Sequence, residues 1–239
     1  MTDPHPSLAD QDTAQLGGRL SILTRQKSDH VELDRLLHEL DRTGPTEQDA
    51  VLRRIYRLVF PHAFAEESVL WPVLRRVLPE GEELTLQIEQ EHQEVNELVV
   101  RLERLDAADP ARSEVLVRLA EVLREDVRDE EDALLPRLQA QVPVARLRRL
   151  GLTWELVRRI APTRAHPVVA RRPPGNVLAA LPLSVIDRTR DRIDAALQQG
   201  PVLAEPVLRR TSRLLTDLAH RLEHLPPLRA GEDPSTARA

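Results

Sequence analysis

The chain of 239 residues contains no cysteine, only eight glycines and 2% aromatic residues. The lack of cysteine excludes disulfides, zinc–thiolate sites, iron–sulfur clusters and cysteine nucleophiles. All-β sandwiches and barrels need aromatic and β-branched strands with glycine-rich turns, so the composition argues against both. The scarcity of aromatic side chains also leaves no platform on which bases could stack, which argues against nucleic acid as a partner.

Long apolar runs are missing as well. Residues 1–18 are polar and acidic and contain no apolar stretch of the kind found in signal peptides. The longest nearly apolar run, Val177 to Ile186, is too short to cross a bilayer. From these features we predict a soluble, cytoplasmic protein that does not enter the membrane.

Good helix formers dominate the remaining composition, with Leu, Ala, Arg and Glu most frequent. Apolar residues recur at helical spacing, and stop signals such as Gly44-Pro45 separate the segments. The pattern predicts four long helices at about 19–41, 46–77, 82–105 and 109–139. We therefore predict an all-α fold, an up-down-up-down four-helix bundle over residues 19–142 with a C-terminal helical extension.

The regions outside the bundle are predicted from composition and charge. Residues 1–142 carry a net charge of −13, and residues 143–239 carry +8. A basic extension of this kind could dock on its own acidic bundle, form a homodimer or bind another protein. The predicted segments are a disordered arm at 1–18, a fifth helix at 143–161, a proline-rich linker at 162–182, a basic amphipathic extension at 183–225 and a disordered tail at 226–239.

Each predicted bundle helix places a histidine or a carboxylate on its inward apolar stripe, near mid-length. These residues are His30, His62, Glu66, His92, Asp126 and Glu130. A single buried histidine is usually a hydrogen-bonded core residue, but an unpaired buried carboxylate costs several kcal/mol. No Lys or Arg shares the stripes at this level, so we predict a dinuclear metal site. Imidazole and carboxylate without thiolate suit iron or manganese.

The second and fourth helices repeat the same pattern. His62 and Glu66 are four residues apart, as are Asp126 and Glu130, so each pair lies on one helix face. Both segments continue with Glu-Glu, then Leu, then Pro at matching offsets. Glu67 and Glu131 fall about 100° off the stripe by helical geometry, so we expect them at the surface or behind the ligands.

The ordered pattern resembles the hemerythrin-like (HHE cation-binding) family. That family has a histidine on helix one, His-Xaa3-Glu on helix two, a histidine on helix three and His-Xaa3-Glu on helix four. Its "HxxxEExxLxP" run is present almost intact at His62–Pro72, and the resemblance covers roughly residues 19–140. It implies a non-haem di-iron protein that binds or reduces dioxygen, peroxide or nitric oxide, and it leaves room for catalase-like or peroxidase-like turnover.

The resemblance also implies a role for each matching residue. His30 and His62 would be terminal ligands of one iron, and His92 of the second. Glu66 and Glu130 would bridge the pair. The chain departs from the family at Asp126, where histidine is usual. If Asp126 ligates the second iron, its negative charge should favour the ferric state and weaken reversible oxygen carriage.

A rival interpretation belongs to a different class of protein. In it the bundle is a scaffold that senses metal or holds none, and the basic helices at 183–225 bind a partner or dimerise. Folding that depends on metal favours the di-iron prediction. A colourless protein that folds equally well with chelator favours the rival.

Overall fold

The computed structural model describes residues 6–198 and 204–238. All regular structure in these two stretches is helical, and none of their residues lies in a strand, which confirms the predicted all-α fold. The α-helices are α1 Ile22–Asp41, α2 Gln48–Ala65, α3 Trp71–Val77, α4 Gly81–Glu103, α5 Ala111–Asp129, α6 Leu135–Gln141, α7 Val144–Ile160, α8 Gly175–Gln198 and α9 Glu205–Glu223. None of the helices in the described stretches combines the length and apolarity that a bilayer crossing requires.

Two apolar clusters fill the bundle on either side of a buried polar layer. One includes Leu37 of α1, Ile55 of α2, Val99 of α4 and Leu119 of α5. The other includes Leu23 of α1, Leu74 of α3, Ile88 of α4 and Leu138 of α6. Helices α1 and α4 run from the second cluster to the first, whereas α2–α3 and α5–α6 run the opposite way. This alternation is what an up-down-up-down bundle requires.

Two π-helical turns interrupt the second and fourth bundle helices at equivalent places, Glu66–Leu70 and Glu130–Leu134. Each turn precedes a proline, Pro72 or Pro136, which has no N–H to continue the normal ladder. In the first turn the Trp71 N–H donates to the Glu66 carbonyl, five residues back. The extra residue in such a turn changes which side chains face inward.

Residues 6–18 depart from the expected disordered arm. Leu8 and Leu16 are fully buried in the second apolar cluster. Lys27 of α1 holds the segment from outside, because its Nζ donates to the carbonyls of Ala9 and Gln11, both at 2.7 Å. Two leucines are enough to dock a polar segment that has no helical periodicity. Residues 1–5 of the expected arm lie outside the described residues.

Helix α7 packs across α1 and α2 and adds a fifth helix to the bundle. Its inward residues Leu147, Gly151 and Trp154 follow helical spacing. At Gly151 the helix lies so close to the residues just before α1 that a Cβ would clash with the Leu20 carbonyl oxygen. This contact places Trp154 beside the polar layer.

The expected linker and tail pack against each other. Helix α8 begins at Gly175, directly after Pro173-Pro174, so the helical extension starts eight residues before the expected 183. The expected disordered tail instead contains a 3-10 turn, Pro226–Arg229, whose Leu228 is buried against α8. Its backbone accepts from the Ala170 N–H at 3.0 Å. Residues 199–203 and 239 lie outside the described residues.

A buried histidine joins the extension to the bundle. His166 Nε2 lies 3.0 Å from Asp187 of α8, and its Nδ1 lies 2.8 Å from Glu223 of α9. Its backbone N–H donates to the Asn96 side chain of α4. Burial lowers the pKa of His166, but Asp187 and Glu223 outweigh burial and raise it to about 9. His166 therefore cross-links four parts of the chain: its protonated imidazole joins its own segment to α8 and α9, and its backbone N–H joins the segment to α4.

Because this cluster depends on a protonated His166, we expect the extension to be held less tightly against the bundle at alkaline pH. Because the folded-state pKa is raised, the charged imidazole contributes fully below about pH 6.5, and its contribution is lost as the pH rises through about 9. The shift corresponds to at most about 3 kcal/mol. In urea unfolding, the stability difference between the unmodified chain and His166→Gln should shrink between pH 6.5 and 9.5. His224→Gln, at an exposed histidine of the same extension, should show no such change.

Candidate metal centre

The polar layer brings all six sequence-predicted residues together. His30 of α1, His62 of α2 and His92 of α4 are buried, and the Nε2 atom of each lies close to a carboxylate. His30 Nε2 is 3.2 Å from Glu130, and His62 Nε2 is 3.1 Å from Glu66. These distances place the imidazole nitrogens and the carboxylate oxygens at one level of the bundle.

Two groups of three potential ligands overlap in this layer. The first contains His30, His62 and Glu130, and the second contains Glu66, His92 and Glu130. Within each group the ligand atoms lie within 4.8 Å of one another. Glu130 belongs to both groups. The arrangement offers two adjacent positions for a cation, with a carboxylate between them.

Asp126 lies beside the second group. Its Oδ1 is 3.5 Å from His92 Nε2, one helical turn before Glu130. The carboxylate therefore occupies the place that the sequence pattern assigns to a histidine. Asp126 offers a carboxylate oxygen, which can carry a negative charge, where a histidine would offer a neutral nitrogen.

Several buried atoms in the layer form no well-aligned hydrogen bond with any of the described residues. They are Glu66 Oε2, His92 Nε2, Asp126 Oδ1 and both carboxylate oxygens of Glu130. Buried polar atoms without partners are rare and costly in folded proteins. Here they converge on the same small region and belong to residue types that ligate iron and manganese. The residues present therefore fit a bound metal.

Carboxylates behind the imidazoles orient the histidines. Glu131 lies 2.9 Å from His30 Nδ1, and Glu67 lies 2.9 Å from His92 Nδ1. Such contacts place the Nδ1 proton on the outer side and direct the Nε2 lone pair towards the centre. Of the two places expected for Glu67 and Glu131, the surface or behind the histidines, the structure shows the second: both are buried, because the π-helical turns bring successive glutamates inward.

The imidazole of His62 contacts a carboxylate that the sequence did not reveal. Asp29 Oδ2 lies 3.1 Å from His62 Nδ1 and accepts from Arg158 Nη1 of α7 at 2.6 Å. The only signal in the sequence is that Asp29 directly precedes His30, which by itself does not identify a role. Gln26, also unnoticed, donates to Glu66 Oε1 at 2.6 Å. Helices α1 and α7 thus support His62 and Glu66 of the second bundle helix.

The orienting carboxylates give a direct prediction. Glu131→Ala should lower metal affinity about 10–100-fold, since loss of an outer partner of a metal-bound histidine has that effect. The matched control is Asp132→Ala, which removes an exposed carboxylate from the next position. Affinity measured by competition with a chelator should change for Glu131→Ala only. Equal affinities in the two variants would contradict the orienting role.

The layer is electrostatically balanced only when positive charge is present. Burial lowers the pKa of His30, but Glu130 and Glu131 outweigh it and raise the pKa to about 9. Burial likewise lowers the pKa of His92. The carboxylates around it, Asp126 first, outweigh burial and raise the pKa to about 10. Burial itself raises the pKa of Asp126 well above its usual range. Without a cation the carboxylates hold protons on the imidazoles, and a bound cation would replace those protons.

Aromatic rings and a small cavity complete the site. Trp154 meets the His62 ring edge-on at 5.4 Å, and Trp71 stacks 6.4 Å from His92. Next to the layer lies a cavity of about 30 Å³, room for one or two molecules the size of water. Its apolar walls include Leu33, Val59, Phe60, Val95 and Leu123, and it is also lined by His30, His62, His92 and Asp126.

Comparison with known proteins agrees with this geometry. Residues 21–138 match the family model described as the hemerythrin HHE cation binding domain. The matched range contains α1 to α5, most of α6 and all six predicted site residues.

Two curated relatives are similar to parts of the chain. An uncharacterized hemerythrin-like protein of Schizosaccharomyces pombe is 27% identical over 134 residues, which cover 56% of this chain and 66% of that protein. A DNA nickase of Nostoc sp. is 27% identical over 114 residues, which cover 47% of this chain and 32% of the nickase. The alignments thus span just under two thirds of one relative and about one third of the other. No solved structure is significantly similar to the chain.

Proposed function

The chain belongs to the hemerythrin HHE cation-binding family through residues 21–138, and from this premise we propose that it holds two iron ions in the bundle and binds or reduces a small ligand there. The ligand is dioxygen, peroxide or nitric oxide. One observation carries the proposal: buried carboxylate and imidazole atoms from three of the four bundle helices converge beside a cavity of about 30 Å³ and form no well-aligned hydrogen bond with the described residues. That volume suits a diatomic molecule or peroxide.

The two overlapping groups of potential ligands support a separate ligand set for each ion. His30 and His62 would hold one ion, and His92 with Asp126 the other. Glu130 belongs to both groups and Glu66 lies 3.1 Å from His62 Nε2 and 3.7 Å from His92 Nε2, as bridging carboxylates would. Manganese is the alternative metal, because it accepts the same imidazole and carboxylate ligands.

The surrounding residues would prepare the site for this chemistry. A bound iron pair supplies redox equivalents and an open position for the small ligand. Asp29, Glu67 and Glu131 hold the imidazoles in the tautomer that leaves Nε2 free. The buried rings of Trp71 and Trp154 keep bulk water from the histidines. Turnover of peroxide, in a catalase-like or peroxidase-like reaction, is part of the same proposal.

Asp126 supports reduction or sensing of the ligand over reversible carriage. A carboxylate next to His92 adds negative charge where the family pattern has a neutral imidazole, and negative charge stabilises the ferric state. Asp126→His should therefore raise the reduction potential and change the absorption of the oxidised protein. Unchanged metal load, potential and spectrum in Asp126→His would remove Asp126 from the proposed ligand set.

The functional proposal is tested by reaction with the small ligands. The full chain is loaded anaerobically with ferrous iron and then mixed separately with dioxygen, hydrogen peroxide and nitric oxide. The expected result is a change in visible absorption with at least one of them, on a protein that keeps its iron. Iron that stays bound and shows no spectral change with all three would contradict the proposed reactivity.

Exposed apolar side chains on α9 favour the interaction module as a second candidate function. Val207, Leu214 and Leu218 are between 46% and 64% exposed on this helix. A homodimer or a protein partner that uses residues 183–225 could cover them. If the metal-free chain, prepared with chelator, is as stable as the metal-loaded chain and self-associates, the second candidate is supported. Monomeric protein whose stability depends on metal supports the first.

A further inference from the structure

A second cavity, far larger than the one beside the histidines, lies where the bundle meets the extension. Its volume is about 320 Å³, at the lower end of the range for small-molecule sites. Helices α2 and α5, the segment after α7, and α8 all contribute to its lining. Five arginines line it: Arg53, Arg57, Arg112, Arg164 and Arg190.

Most charged groups around this cavity are already paired. Arg164 Nη2 lies 3.0 Å from Asp191 and also contacts Asp194, and Arg57 Nε lies 3.4 Å from Asp191. Thr163 Oγ1 donates to the same aspartate at 2.9 Å. In the same way, Arg112 pairs with Asp49 at the bundle side. The remaining carboxylate of the lining, Glu103, is exposed.

Two guanidinium groups have no carboxylate partner within the described part of the chain. Among the described residues, no Asp or Glu oxygen lies within 4.0 Å of the Arg190 guanidinium, and Arg190 forms no side-chain hydrogen bond with them. Arg53 lies beside the side-chain amide of Gln198, a neutral group whose oxygen can accept from it when the amide is turned towards it. Burial and the like charge of Arg164 lower the pKa of Arg190 more than the charges of Glu103, Asp187 and Asp194 raise it. A half-buried cation beside another cation is costly unless an anion reaches it.

We infer that this cavity binds a small molecule through an oxyanion group, with Arg190 as its main contact and Arg53 as a second. Guanidinium groups bind phosphate and carboxylate oxygens with two parallel hydrogen bonds, and this geometry makes arginine the preferred residue for such groups. The shared chemistry is a phosphate or dicarboxylate group on a compact molecule. Because the walls come from both parts of the chain, a bound anion would hold the extension against the bundle.

The test uses the full chain and three probes, inorganic phosphate, pyrophosphate and malonate, in calorimetric titration and thermal unfolding at low chloride. We expect saturable binding of one anion per chain to at least one probe, with a rise in Tm. Arg190→Gln should weaken that binding at least tenfold and remove the rise in Tm. Arg192→Gln, which removes an exposed arginine on the same helix and outside this cavity, should leave both unchanged.

Two further results distinguish anion binding at this cavity from non-specific binding of anions to arginine side chains. Without anion, Arg190→Gln should unfold at the same or a higher temperature than the unmodified chain, because an unpaired charge has been removed. Arg190→Lys keeps the charge but cannot form the two parallel hydrogen bonds of a guanidinium group, so it should bind the anion with intermediate affinity. Stronger binding of phosphate or pyrophosphate than of malonate would identify a phosphorylated ligand, and the reverse a dicarboxylate. No saturable binding, or equal binding by the Arg190→Gln and Arg192→Gln variants, would overturn the inference.

Discussion

Replacement of Glu130 by glutamine should reduce bound metal more than any other single change in the chain. Glu130 belongs to both groups of potential ligands, and its buried carboxylate oxygens form no well-aligned hydrogen bond with the described residues, although His30 Nε2 lies 3.2 Å away. The amide keeps the shape of the side chain and removes the charge that both positions would share. Loss of an outer partner already costs about 10–100-fold in affinity, so loss of this group should exceed about 100-fold at both positions.

The matched control is Glu121→Gln on the same helix. Glu121 is exposed, and among the described residues it pairs only with Arg118, over 3.7 Å at the surface, so metal content and affinity should stay unchanged. Metal content and affinity are measured on both variants after identical purification and reloading. If Glu130→Gln retains the metal content of the control, Glu130 does not bridge two ions.

Trp154→Ala should have the largest effect on stability. The ring of Trp154 is fully buried, meets the His62 ring and lies under the Arg158 guanidinium, whose Cζ is 4.9 Å from the ring. Truncation of a buried tryptophan costs about 3–5 kcal/mol, because it removes apolar burial and leaves a cavity. The same change removes support from the Asp29–Arg158 pair behind His62, so bound metal should also dissociate faster.

Leu156→Ala provides the comparison for this variant. Leu156 lies two residues further along α7 and is 63% exposed, so its truncation should change the free energy of unfolding by about 0.5 kcal/mol or less. Urea unfolding gives the stabilities, and transfer of metal to a chelator gives the dissociation rates. A Trp154→Ala protein as stable as Leu156→Ala would contradict the packing of α7 against the site.

The six central residues could be predicted from sequence because helical spacing and the cost of buried charge act locally. His62 and Glu66 share a face by geometry alone, and a carboxylate on an apolar stripe requires a compensating cation. The inward turn of Glu67 and Glu131 could not be predicted from regular helical geometry. It results from the π-helical turns before Pro72 and Pro136, which shift the face that follows.

The parts of the fold that escaped prediction depend on contacts between distant segments. Leu8 and Leu16 lie in polar surroundings in the sequence, and their burial appears only once the bundle and α7 provide an apolar surface. His166 lies in a proline-rich stretch without periodicity, yet it meets Asp187 and Glu223, residues 21 and 57 positions away. Asp29 acquires its role through Arg158 of α7, again from a distant segment. No pattern within one helix could reveal these pairs.

We propose a two-ion centre built from His30, His62, Glu66, His92, Asp126 and Glu130. Its most direct test is the metal content per chain, measured by mass spectrometry on the 239-residue chain purified in air without chelator. We expect about two irons per chain, falling sharply in Glu66→Ala. No metal, or a single ion whose content does not respond to Glu66→Ala, would contradict it.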